Sequence, residues 1–135
     1  GDDSHGNIRS DFPGGWPGDG LNAFTGEGLG RHEREAQAFV RSLLTWRRNT
    51  PVIHHGRTMH FAPQDATYVY FRYDDRDAVM VALNKNDTAH DLELDRFAER
   101  LDGYHEALDV LTSAVYPLDR PLRLPPRSVR VLELR

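Results

Sequence analysis

Cysteine is absent from the 135-residue chain, which excludes disulfides and thiolate metal sites and leaves the redox compartment undecided. An excess of positive charge is also missing. Lys and Arg number 17 against 21 Asp and Glu, a formal net charge of -4. Without a basic footprint, nucleic acid is not an expected partner. No run approaches the roughly 18 consecutive apolar residues of a membrane helix, so no membrane partner is expected either. The chain opens Gly-Asp-Asp-Ser-His-Gly, with no Met and no signal-peptide pattern. That start reads as a piece of something longer, or as a chain cut inside a loop. No G-x-S-x-G, phosphate loop or H-E-x-x-H occurs.

What is present divides into three zones. Residues 1–31 are loop-like and hold most of the glycines, with Pro13 and Pro17. A structureless segment of this length is uncommon in a compact domain and is usually functional or disordered. Within it, "NIRSDFPGGWPGD" (7–19) is too aromatic and too charged for a plain linker and reads as a loop held in shape to face something. Residues 32–49 predict one helix. Ala36, Phe39, Val40, Leu43 and Leu44 form the apolar stripe. Glu33 and Glu35 begin the helix and Arg47 and Arg48 end it, complementing the dipole. Asn49-Thr50-Pro51 stops it.

Residues 57–135 predict strands. "TYVYFRY" (67–73) alternates, with Val69 and Phe71 on one face and Tyr68, Tyr70 and Arg72 on the other. "AVMVALN" (78–84) is nearly all apolar, as a central strand is. "DDRD" (74–77) and "KNDT" (85–88) are turns. "HDLELD" (90–95), "EALDVLT" (106–112), "PLRL" (121–124) and "SVRVLELR" (128–135) complete the set, with one short helical turn in 96–104. Hydrophobic residues at 39% support a modest core. Short strands with regular turn signals predict an antiparallel sandwich or open barrel.

Several groupings suggest chemistry and also have plainer readings. Asp74, Asp75 and Asp77 read as a solvated turn; the stretch lacks the Gly and the closing Glu of a calcium loop. His54, His55 and His60 are the densest His cluster, but adjacent His side chains on a strand point apart and no helical H-x-x-x-H pair exists. Gly14-Gly15 and "GEGLG" (26–30) lack the strand and helix flanks of a phosphate loop. Tyr68, Tyr70, Phe71 and Tyr73 could stack on sugar rings through their faces; cross-strand packing is the plainer account.

Two longer segments, "RSDFPGGW" (9–16) and "LLTWRRNTPVIHHG" (43–56), together with "NAFTGEG" (22–28), resemble the end of the catalytic barrel of the α-amylase family, nearest its neopullulanase and cyclomaltodextrinase members. The strands that follow are similar to that family's C-terminal all-β domain. The resemblance implies a mainly β fold. A C-terminal antiparallel β-sandwich (52–135) is preceded by a long loop and one helix that look like the end of a TIM barrel (1–51). It implies a retaining glycosidase acting on α-glucosidic bonds through two carboxylates, with a further Asp stabilising the transition state. Those residues are expected upstream of Gly1, so no catalytic residue, cofactor or metal ligand is carried over to this chain. Barrel loops of this kind build active sites. By position, Asp3 and Arg9 resemble an Asp and Arg that contact glucose units in related enzymes, with Asp11 and Trp16 as further candidates.

The first expectation is therefore the C-terminal portion of an α-glucan hydrolase that binds α-glucan or maltooligosaccharide, with a mainly structural β domain. The alternative is a free-standing, non-catalytic carbohydrate-binding module using the Tyr-rich hairpin. A small enzyme built on the His cluster is the third, and no spacing supports it. With its barrel absent, the stripe of Phe39, Val40, Leu43 and Leu44 predicts self-association.

Overall fold

The computed structural model describes residues 11–135. These fall into two compact units, the first ending at Arg41 and the second running from Ser42 to Arg135. In the first, residues 11–30 form a chain of turns leading into helix α1 (Arg31–Arg48). The Gly30 N–H donates to the Glu33 carboxylate, the returning half of a capping box that satisfies an orphan donor at the helix start. Glu33 in the first turn and Arg47 and Arg48 in the last sit as the dipole favours. No residue of α1 is buried. No helix of the described residues is long and apolar enough to cross a membrane.

In the second unit the chain does not pass straight from helix to strand. Pro51 occupies the first turn of a further short helix, α2 (Pro51–His55), where its missing N–H costs nothing. The strand reading of His54 and His55 is corrected accordingly: both lie on α2. His54 Nε2 meets the Arg47 carbonyl at 2.8 Å, which places the proton on Nε2 and satisfies one of the open carbonyls at the end of α1.

Eight strands follow: β1 (Arg57–His60), β2 (Thr67–Tyr73), β3 (Ala78–Asn84), β4 (His90–Leu92), β5 (Glu106–Asp109), β6 (Val115–Pro117), β7 (Leu122–Leu124) and β8 (Ser128–Leu134). Six of them form one sheet in the order β1-β2-β3-β8-β5-β6, and β4 pairs with β7 in a second. Every pairing is antiparallel. Between β4 and β5 lie a 3-10 turn (Asp95–Phe97) and a short helix, α3 (Ala98–Leu101). The mainly β, antiparallel class read from the sequence is the observed one.

The period-2 alternation of β2 decides which layer each side chain joins. Val69 and Phe71 point inward with Met80, Ala82, Leu132 and Leu134, and Leu92, Leu94, Leu122, Leu124 and Phe97 close over them. Phe61 stands edge-on to Phe97 at 4.9 Å and to Phe71 at 5.9 Å between ring centroids, a preferred aromatic geometry. The opposite face carries Val79, Val81 and Val131, covered by Val52, Ile53 and Trp46. β3 is thus buried on both faces, which explains its nearly continuous apolar run. Trp46 Nε1 donates to Glu133 at 2.6 Å, fixing the end of α1 over β8. β6 was not anticipated, because Val115–Pro117 is too short to carry an alternation.

Candidate functional site

The first unit is a loop pinned by its own side chains. One oxygen of Asp19 accepts from the backbone N–H of Gly14 at 2.8 Å and of Trp16 at 3.1 Å. Asn22 Oδ1 accepts from Phe24 and Thr25 N–H at 2.9 and 3.1 Å, an Asx turn. An isolated bridge joins Asn22 to Glu27, Ala23 N–H donates to the Pro13 carbonyl at 3.0 Å, and the Gln37 amide reaches the Ala23 carbonyl from α1. Gly14 has φ +92, and a Cβ there would stand 2.6 Å from Asn22 Oδ1, so only glycine fits this close approach.

The pinned loop presents its large apolar side chains outward. Phe12, Trp16 and Phe24 are 62%, 67% and 73% exposed, and the Phe12 and Phe24 rings lie 5.3 Å apart. Beside Phe12 a groove of about 560 Å³ runs between Pro13, Leu21 and Leu29 and the α1 residues Ala36 and Val40. Of the four candidate substrate contacts, Asp11 and Trp16 are exposed on this loop, while Asp3 and Arg9 lie outside the described residues. Asp19, which the sequence reading passed over, holds the turn that bears Trp16. Its signal was the "WPGDG" run itself, a Pro-Gly-Asp-Gly turn signature.

In the second unit the Tyr-rich hairpin separates by face. Tyr73 packs against the inner core under the Arg100 guanidinium, 4.3 Å from the ring centroid. Tyr68 and Tyr70 stay on the outer face with their centroids 5.7 Å apart. Beside Tyr68 is a cleft of about 720 Å³ whose wall includes Leu83, Lys85, Arg127 and Val129. Lys85 directly follows β3, while Arg127 comes from the turn before β8, far from the hairpin in sequence, so only strand pairing reveals the grouping. His54 and His55 sit with ring centroids 6.1 Å apart. No group of three or more His, Asp and Glu that could hold a metal occurs among the described residues.

The sequence profile of the family described as the cyclo-malto-dextrinase C-terminal domain matches residues 58–133, more than half of the chain. Solved structures share the fold. AmyP, crystallised in complex with maltose, superposes with a TM-score of 0.66 at 18% identity, over 80% of this chain and 22% of AmyP. An Anoxybacillus α-amylase does so with a TM-score of 0.65 at 16% identity, over 74% and 22%. The trehalulose synthase MutB from Pseudomonas mesoacidophila MX-45 gives 0.60 at 22% identity, over 73% and 18%. The chain therefore spans about a fifth of the length of these proteins.

Proposed function

The chain belongs to the family of the cyclo-malto-dextrinase C-terminal domain, and from that premise we propose that it is the C-terminal portion of an α-glucan hydrolase of the cyclomaltodextrinase or neopullulanase kind. The observation that carries this reading is the family match over residues 58–133. Residues 1–51 are then the last loop and last helix of a catalytic barrel, and 52–135 the β domain, chiefly a scaffold. Cleavage is retaining: one carboxylate attacks the anomeric carbon, a carboxylic acid protonates the leaving oxygen, and water resolves the covalent intermediate. These groups belong upstream of Gly1, and the chain by itself is inactive.

The loop's part is to wall the cleft. A glucose ring offers a C–H face to an exposed aromatic ring, and Trp16 is the exposed ring on the turn that Asp19 fixes. Asp3 and Asp11 accept from sugar hydroxyls, and Arg9 donates to them in a fixed fork. Trp16→Ala and Asp11→Ala, each in the full-length protein, test this. A higher KM for maltooligosaccharides with kcat retained is expected, the mark of lost uniform binding. Unchanged KM in both variants would remove the loop from the cleft.

A second reading, a non-catalytic carbohydrate-binding β-sandwich, is favoured by one observation, the cleft beside Tyr68. Maltooligosaccharide bound by a full-length protein that cleaves none would select it.

A further inference from the structure

The register of the large sheet sets Tyr68 opposite Leu83 and Leu83 opposite Val129. The three side chains form a row on the outer face of β2, β3 and β8. Farther along the same face, Val79, Val81 and Val131 are covered by Val52, Ile53 and Trp46. The face is therefore capped at one end, while the Tyr68 row floors a cleft of about 720 Å³ at the other. That volume lies within the roughly 300–1,000 Å³ of small-molecule sites, which are mostly apolar with a few placed polar groups.

The cleft is built rather than incidental. Asn84, buried at its edge, donates to the carbonyls of Thr88 at 3.0 Å and Pro125 at 2.8 Å. Its own oxygen accepts from both the backbone and the side chain of Asn86. Asn86 in turn donates to the Asp65 carbonyl at 2.8 Å, and Lys85 and Arg127 N–H groups bond the carbonyls of Ala66 and Asn86. Three loops are thus tied into one rim. Two lining residues, Ala66 and Arg127, hold left-handed backbone at φ 54 and 47.

We infer that this cleft is a second glucan-binding site, taking one or two glucose rings with their C–H faces on Tyr68, Leu83 and Val129 and their hydroxyls toward Lys85 and Arg127. The ligand class rests on the reading that the protein acts on α-glucans; the location rests on the geometry alone. Tyr68 is held in place by Tyr70 at 5.7 Å and by the edge of His60 at 6.4 Å. Thr67 and Ser128 spend their hydroxyls on the Gln64 and Pro125 carbonyls. That leaves Lys85 and Arg127 as the polar rim. Asp87 steadies the Arg127 guanidinium at 2.6 Å, and Lys85 makes no ion pair among the described residues. An apolar floor with hydrogen-bond donors at its edge matches a sugar ring, which is apolar on its faces and hydroxylated around its rim.

The test is an NMR titration of the full 135-residue chain with maltoheptaose, read at the Leu83 and Val129 methyls. Saturable shifts are expected. Tyr68→Ala should weaken binding about tenfold, the loss of roughly 1.4 kcal/mol of stacking. Lys85→Ala, at an exposed side chain, should weaken it about threefold and guards against misfolding of the first variant. No saturable shift up to about 20 mM sugar, a range that captures even weak affinities, overturns the site. Affinity unchanged from the parent chain in both variants overturns it too. So does concentration-dependent broadening of the same methyls without sugar that persists in Leu44→Glu, which assigns the cleft to a protein surface. Turnover of maltoheptaose by the full-length protein is measured separately: cleavage without cleft binding removes this site alone, and no cleavage removes the hydrolase reading.

Discussion

The Asp109 carboxylate, fully buried, accepts a 2.8 Å bond from Arg130 Nη1. Its other oxygen accepts from the Leu111 N–H at 2.8 Å, and the Arg130 guanidinium lies 4.9 Å from the Tyr116 ring centroid. One acid thus joins β5, the turn after it and β8. Asp109→Ala strands a nearly buried guanidinium and is expected to cost about 3–5 kcal/mol. The pair Asp91–Arg123 has a similar 2.9 Å distance but both side chains are more than half exposed, so Asp91→Ala should cost less than about 1 kcal/mol. Urea unfolding midpoints of the two variants check the contrast, and equal losses would contradict it.

The turn between Gln64 and Thr67 has Asp65 and Ala66 both at positive φ, as a two-residue hairpin turn of the primed type requires. Alanine is a poor occupant of that region. Ala66→Gly relieves a left-handed conformation worth about 1–2 kcal/mol against an entropic loss of about 0.5–1 kcal/mol. A net gain of about 0.5–1 kcal/mol, seen as a higher Tm, is expected. The reverse exchange at Gly56 fails for lack of space: a Cβ there would lie 2.4 Å from the Val52 carbonyl oxygen and 2.8 Å from that of Tyr73. Gly56→Ala should lower stability by about 1–3 kcal/mol.

Asp74 closes the β2–β3 turn by accepting from Asp77 N–H at 2.9 Å and Arg76 N–H at 2.8 Å. The Asp77 bond first, and then the Arg76 bond, hold its carboxyl below the usual Asp value. A depressed folded pKa stabilises above the unfolded value and is lost as pH falls through the folded one. The Asp74 contribution is therefore whole above about pH 4 and fades below it. Acid titrations of stability should fall less steeply below that point for Asp74→Asn than for the parent chain. Parallel curves would show that the turn carries no linkage.

Phe39, Val40 and Leu44 are 46%, 50% and 55% exposed along α1. Apolar side chains in such number invite cover. Light scattering of the 135-residue chain should report a mass above its 15.4 kDa, and Leu44→Glu should return it to a monomer. A monomer in both would contradict the self-association.

Strand alternation and helix period were legible because each reports burial on one side. β2 divided its faces as its pattern required, and the apolar run of β3 marked a strand covered twice. The end of α1 was legible from Asn49-Thr50-Pro51, yet the same proline that stops one helix starts another, and α2 passed unnoticed. Its five residues are too few to show a period. Asp19 was in plain view in a turn signature, but its partners, Gly14 and Trp16, follow only from the folded loop. The cleft beside Tyr68 depends on register between β2, β3 and β8 and on loops some twenty to sixty residues apart. No local pattern encodes such a grouping.

The central claim is that this chain completes a retaining α-glucan hydrolase. The most direct measurement follows the anomeric proton signals while the full-length protein acts on a maltooligosaccharide. The account predicts that the α-anomer of the new reducing end forms first and equilibrates to β afterwards, as a double displacement requires. A β-anomer formed first, or no cleavage at all, would contradict it.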